Sequence, residues 1–523
     1  SDKVPILSSG TVFTASNTDT QEALVSYYAR ANYSFKDKYL LGLTVRADGS
    51  SKFAEGHKWG YFPAASVGWI VSDESFWDKC RNTSNFLKLR ASYGLTGNNG
   101  IGLYDAYGAY STSSLYDGSS VTVASSMQNK DLTWERTSQL DLGFDVNFLN
   151  DRIRVTADYY NKRTRDMLFN VTLPDTGSFD SVMANVGSAR FYGFELALHT
   201  VNIERKDFYW GTDITWSFNK NKVLSLDDSY KYKNLDGKDA WRIGGYTMTQ
   251  TGEKFGGIAV GEPLGRIYGY VIDHIITSQE DADNAYYDAL SKGYRREDGK
   301  RVPGRKAVGD YEWVNRPGSA LTATGEEMIN AEDMFELGNV LPKHTGGINN
   351  TIKYKRLTFN LYCDFALGHS IVNYMKSRVF MNTYGTCNGN ILRDVKDCWE
   401  PGKSDYKYAR FLPNDCDYGN SNFQRISDFC VEKGDYLCIR DVSISYDLPE
   451  KWIRGLKLQK LTVGVSGNTL AYVDNVTGTI SPEIGIGASS SGSWFSAVNT
   501  SDNVNANIAP AARKILFNVK LTF

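Results

Sequence analysis

The chain has 523 residues and a formal net charge of −2, from 58 Lys and Arg against 60 Asp and Glu. There is no basic block to engage nucleic acid. No stretch approaches the roughly 20 consecutive apolar residues of a spanning helix, which excludes a helical membrane protein.

Ser1-Asp2-Lys3-Val4-Pro5 has neither the basic start nor the apolar run of a signal peptide. The expectation is a chain that begins after processing or inside a larger protein. From there, period-two alternation predicts about 15 strands. In chain order they cover 22–34, 38–48, 61–71, 85–96, 134–148, 151–166, 186–200, 207–220, 253–260, 264–273, 344–354, 357–367, 435–448, 458–468 and 513–523. Leu140-Asp141-Leu142-Gly143-Phe144-Asp145-Val146-Asn147-Phe148 shows the pattern well, with apolar residues interleaved with polar residues or Gly. Such strands have one apolar and one wet face.

Connection lengths alternate. Short turns are read at Lys36-Asp37-Lys38, Leu149-Asn150-Asp151, Gly261-Glu262-Pro263, Tyr354-Lys355-Arg356 and around Pro449 to Gly455. Long polar connections are read at 97–133, 221–252, 274–343, 368–434 and 469–512. Stretches that long do not suit a compact soluble domain. They do suit a transmembrane antiparallel β-barrel with tight periplasmic turns and long outer loops.

The last strand, Ile515 to Phe523, has apolar residues at every odd position and ends on an aromatic residue. It reads as a closing barrel strand that runs down to the periplasm. Counting back from it, the first strand also runs down, which predicts that residues 1–21 form an extracellular segment and 22–523 the barrel portion. Single-chain bacterial barrels have even strand numbers. The odd count therefore sets the expectation of part of a barrel.

Several motifs then carry a resemblance. They are Leu87-Lys88-Leu89-Arg90-Ala91-Ser92-Tyr93-Gly94 with Thr96-Gly97-Asn98, Leu132-Thr133-Trp134-Glu135, and Asp158-Tyr159-Tyr160-Asn161-Lys162-Arg163-Thr164. Asn185-Val186-Gly187, Gly193-Phe194-Glu195 and Trp399-Glu400-Pro401 follow. Gly434-Asp435-Tyr436-Leu437, Ile439-Arg440-Asp441-Val442, Asn468 and Ser481-Pro482-Glu483 complete the series. In this order they resemble the carboxy-terminal half of SusC/RagA-type TonB-dependent outer-membrane transporters. Cys438 departs from the family pattern, which usually carries Arg or another polar residue there.

The resemblance implies a plugged barrel of about 22 strands. It implies TonB-driven import of an oligosaccharide or oligopeptide, without enzymatic chemistry or a cofactor. Its implied partners are a SusD-like surface lipoprotein, the TonB complex acting through a plug, and the amino-terminal plug with the remaining strands, either in one polypeptide or as a separate chain. Outer-membrane lipid surrounds the wall. Connections 274–343 and 368–434 are the implied docking surfaces for the lipoprotein, and Phe523 is the implied barrel-assembly signal. A passive porin is the alternative, and it would need an even-stranded barrel without a plug.

Candidate site residues are few. The five His, at 57, 199, 274, 344 and 369, are far apart, with no metal or nucleophile-base spacing. Loop aromatics Trp241, Tyr246, Trp399, Tyr406 and Trp494 are candidates to stack on cargo, with packing inside the loops as the plainer reading. Polar strand residues Asp141, Asp145, Arg154, Asp158, Asn360 and Asp364 are expected to face the lumen. Cys387, Cys398, Cys416 and Cys430 fall in one irregular stretch and are candidates for disulfides, with a pairing that sequence does not reveal.

Overall fold

The structure is a computed structural model. It describes residues 20–116, 119–172, 179, 181–291, 293–295, 300–373, 376, 393–411, 422–423, 425–453, 455, 458–477, 481–483 and 512–522. Phe523, Cys387, Cys416, Trp494 and most of the 1–21 segment lie outside the described residues.

Thirteen strands form one sheet in chain order, and the ladders described between neighbours are antiparallel. They are β1 (Leu24–Phe35), β2 (Tyr39–Ser50), β3 (Trp59–Ile70), β4 (Ser84–Asn98), β5 (Glu135–Phe148), β6 (Ile153–Arg165), β7 (Gly187–Arg205), β8 (Phe208–Leu226), β9 (His344–Tyr354), β10 (Leu357–Leu367), β11 (Tyr436–Asp447), β12 (Lys460–Asp474) and β13 (Lys514–Thr522). The chain makes two compact units, one drawn from residues up to Thr200 and Asn219–Asp227, the other from Val201–Phe218 and from Asp228 onward.

In the first unit, register sorts the side chains cleanly. Tyr33, Leu41, Val67, Ala91 and Leu142 share one face, and Asn32, Gly42, Ser66, Ser92 and Asp141 share the other. The apolar face is exposed, with Leu43, Val45, Val67, Leu142 and Phe144 open to the surroundings. Exposed aliphatic rows of this extent need lipid rather than water against them. The second unit repeats the arrangement: Ile348, Leu357, Ile444, Val463, Val465 and Phe517 form its exposed apolar face.

Short turns gather at one end of the strands. Lys36, Asp37, Leu149, Asn150, Asp151 and Lys355 take left-handed backbone conformations there, closing hairpins whose twist matches the strands. The link from β3 to β4 holds two 3-10 turns, Val71–Asp73 and Ser75–Cys80.

Two predicted strands are not in this sheet. Residues 253–260 and 264–273 break into short pieces that pair inside the loops, such as Arg266–Gly269 with Phe335–Asn339 and Ile272–Ile275 with Tyr311–Trp313. Gly256 and Gly257 are both left-handed, at φ 72° and 59°, so the backbone cannot continue as a straight strand. The predicted turn at Gly261-Glu262-Pro263 therefore lies within a loop, and connections 221–252 and 274–343 merge into one between Leu226 and His344. Among the described residues the strand count of the sheet remains odd.

Two buried clusters are built largely by the connections, and a small one, Ala366, Tyr436 and Cys438, lies on β10 and β11. In the first unit, Phe53, Phe62, Ile101, Ala106, Leu132, Trp134 and Leu168 pack together. In the second, Trp313, Ile329, Tyr270, Tyr311, Cys398, Ala409 and Cys430 belong to a larger cluster.

Candidate functional site

The wet face of the first unit is tied by charge. Arg90 on β4 donates to Asp145 on β5 at 2.8 and 3.2 Å and to Asp158 on β6 at 3.0 and 3.1 Å. Arg90, Gly143 and Asp158 stand opposite one another in adjacent strands. A Cβ at Gly143 would fall 2.0 Å from Asp158 Oδ1, so the glycine leaves the gap through which the guanidinium crosses β5. Asp141 accepts from Ser92 at 3.2 Å and Gln139 at 2.8 Å. Two carboxylates share the Arg90 guanidinium, and Lys88 lines the same face beside Asp141.

The second unit has a counterpart built on a bulge. Tyr362 faces Asp441 and Cys363 faces Ile439, so Arg440 is the extra residue in β11. A bulge re-aims its side chain. Arg440 forms a bidentate pair with Asp364 at 2.7 and 2.8 Å and also binds Glu483. Tyr472 donates to Glu483 at 3.1 Å, and Asn468 donates to Asp441 at 2.5 Å. Asn360 bridges from Thr351 to Ser443 on the same face.

The motif residues fasten loop roots. Trp134 packs between Phe53 and Phe62 at 5.2 and 5.5 Å and donates its indole N–H to the Lys58 carbonyl. The Asn185 side chain accepts from Thr133 N and donates to the carbonyls of Thr133 and Asp166. Glu135 accepts from Leu168 N. Asp435 accepts from Gly368 N at 2.5 Å. Sequence reading took these residues as family markers without their role. For Arg440 a signal existed: apolar residues sit at 437 and 439 and then at 442, 444 and 446, a parity flip that marks the bulge.

The predicted loop aromatics are part of folded loops. Trp241 donates to Asp228 at 3.0 Å with Lys231 Nζ 5.4 Å from its ring, and Tyr246 stacks on Phe255 at 5.5 Å. Trp399 is half-buried, and a Cβ at Gly309 would fall 2.3 Å from its ring, while Tyr406 is half-buried nearby in sequence. These four do not converge on one contact surface in the bonds described. Cys398 and Cys430 are buried free thiols in the large loop core, with burial pushing the Cys398 thiol up to about 12. A bridge between these two is therefore not present.

Sequence reading also missed a cage around Arg425. Its guanidinium lies 4.8 Å from the Tyr270 ring and 4.7 Å from the Trp313 ring, and it donates to the buried Asp288 at 2.7 Å. Asp310 is fully buried and takes bonds from Arg410 at 2.6 and 3.1 Å and Asn422 at 3.1 Å. The 274–343 connection is thus a folded scaffold around Trp313.

Comparison with known proteins gives the family. The profile described as "TonB dependent receptor-like, beta-barrel" matches residues 3–476. The chain is 30% identical over 458 residues to TonB-dependent receptor P3 of Formosa agariphila, covering 86% of this chain and 41% of that protein. It is 28% identical over 472 residues to TonB-dependent receptor SusC of Bacteroides thetaiotaomicron, covering 87% and 40%. Among solved structures, the RagAB peptide transporter superposes with a TM-score of 0.69 at 20% identity, covering all of this chain and 50% of that one. That likeness shows the fold. The chain spans about two-fifths of the length of these curated relatives. It belongs to the TonB-dependent receptor-like β-barrel family, a family of the Gram-negative outer membrane.

Proposed function

We propose that this chain forms barrel wall and outer loops of a TonB-dependent importer for oligosaccharides or oligopeptides. The match to the receptor profile over residues 3–476 carries this reading. The resemblance to SusC/RagA-type transporters implies either cargo, and the RagAB likeness, named for a peptide transporter, supports a peptide. A SusD-like surface lipoprotein would cap the loops, and TonB would act through a plug in the lumen.

Two features support a wall that is filled and continued. Its wet face holds half-buried ion pairs around Arg90 and Arg440 where a polypeptide surface can dock. The outer edges of β1 and β13 have no ladder partner among the described residues. A bilayer offers no hydrogen bonds to such edges, so further strands must supply them. Long loops with their own cores suit lid and cargo contacts at the outer end.

Uptake in intact cells tests this. Fluorescent oligopeptides and oligosaccharides are offered to wild-type cells, to cells lacking this gene, and to cells lacking TonB. Accumulation of one cargo class that needs both genes supports the proposal. Uptake that needs the gene but not TonB would refute energised import.

A further inference from the structure

The apolar face of the first four strands is not smooth. A groove of about 390 Å³ is open on it, lined by Tyr33, Leu41, Val67, Trp69, Leu89 and Ala91 among others. Tyr33, Leu41, Val67 and Ala91 stand in one cross-strand row. Ala91 is the small residue that leaves the row hollow. The next row toward the short turns is Phe35, Tyr39, Trp69 and Leu89. It walls the hollow with aromatics, ring centroids 6.3 Å apart for Phe35 and Tyr39 and 6.5 Å for Tyr39 and Trp69.

One carboxylate holds this wall in place. Glu74 accepts from the Tyr39 hydroxyl at 2.8 Å, the Trp69 indole at 3.3 Å and Lys38 at 3.4 Å. The turn beside the groove carries one cation that no carboxylate among the described residues answers. Lys36 follows Phe35 in the turn, with its ammonium 5.3 Å from the Phe35 ring, and it has no carboxylate partner among the described residues. Lys38 shares the same turn.

We propose that the groove seats one acyl chain of a membrane glycerophospholipid, whose phosphate is held at the rim by Lys36. An apolar channel with fixed aromatic walls and a spare cation at headgroup level matches a lipid's chain and its phosphate. The groove is on the face that meets the bilayer, at the short-turn end. Short turns are periplasmic in outer-membrane barrels, so the neighbouring leaflet is glycerophospholipid. The site is independent of what the transporter imports.

Native mass spectrometry of the complex, extracted in mild detergent and reloaded from nanodiscs of palmitoyl-oleoyl phosphatidylethanolamine, tests the site. Ala91→Trp fills the hollow and Lys36→Glu reverses the rim charge. Leu43→Phe enlarges an exposed residue of the same face that is not in the groove lining. The wild type and Leu43→Phe should retain one phospholipid. Each of the other two, verified as folded by heat-modifiable migration, should retain about fivefold less. Should Ala91→Trp fail to fold, Lys36→Glu on the exposed turn decides alone. Folded Lys36→Glu with wild-type retention, retained lipopolysaccharide in place of phospholipid, or equal loss in Leu43→Phe would each overturn the site.

Discussion

Single residues in this chain hold loops to strands. Asp310 is buried among Arg410 and Asn422, and a buried carboxylate is stable only while its charge is answered. Arg410→Ala removes the cation and leaves the carboxylate in place. The expected cost is about 3–5 kcal/mol of local stability. Faster amide exchange over Tyr311–Trp313, with strand amides unaffected, is the reading that checks it.

His274 offers a pH-dependent contact at the same scale. Burial works to lower its pKa, but hydrogen bonds to Asp273 at 2.7 Å and Asp281 at 3.2 Å outweigh it and raise the pKa above the ordinary imidazole value. A raised pKa means the clasp is complete below about pH 6.5 and is lost as pH climbs through the folded value. Asp281 lies in the short helix Gln279–Asn284, donates its backbone N–H to the capping Ser278 and accepts from Thr277 N. Proteolytic nicking of this segment should therefore rise with pH in the wild type, and His274→Gln should nick at the high-pH rate throughout. Equal pH profiles for the two proteins would remove the clasp from the account.

Strands carry the division between lipid and wet faces. Leu142 lies midway along β5 on the exposed apolar face, and Gln139 lies on the wet face. Leu142→Lys should cost about 2–4 kcal/mol in a bilayer, while Gln139→Lys should be nearly neutral. Urea unfolding of the assembled protein in liposomes compares the two directly. At Gly346 the limit is backbone: a Cβ there would lie 2.3 Å from the Thr215 carbonyl oxygen. Gly346→Ala should destabilise the β8–β9 pairing by about 1–3 kcal/mol, seen as a lower temperature of heat-modifiable migration.

The strands were legible because a wall with one face in lipid and one in water must alternate with period two. The thirteen that form the sheet each overlap a predicted range, with β7, β8 and β12 running five or six residues beyond theirs. The two that do not, 253–260 and 264–273, carry consecutive apolar residues at 258–260 and 270–272 in place of strict alternation, and they pair locally inside a loop. Periodicity records which face is buried and is silent about the partner strand. The same limit hid the loop interiors. Trp313 and Arg425 are 112 residues apart in sequence, and no local pattern announces that they stack. The ion pairs were legible as polar positions, but the crossing of Arg90 over Gly143 required the register.

At the scale of the whole molecule, family membership gives this chain its membrane and its architecture. The proposed import activity needs more than the described wall. On that proposal a plug would fill the lumen, further strands would cover the edges of β1 and β13, and a lipoprotein would close the outer mouth. The ion-paired wet face around Arg90 and the loops fastened by Trp134 and Arg440 are the surfaces those parts would meet.

Isolation of the native assembly is the most direct test. The chain is tagged, drawn from outer membranes in mild detergent, and every accompanying polypeptide is sequenced by mass spectrometry. The account expects plug sequence, in the same polypeptide or in a tightly bound companion, together with a surface lipoprotein. A 523-residue chain that is recovered alone, closes by itself and conducts ions steadily in a planar bilayer would contradict energised import and establish a passive porin.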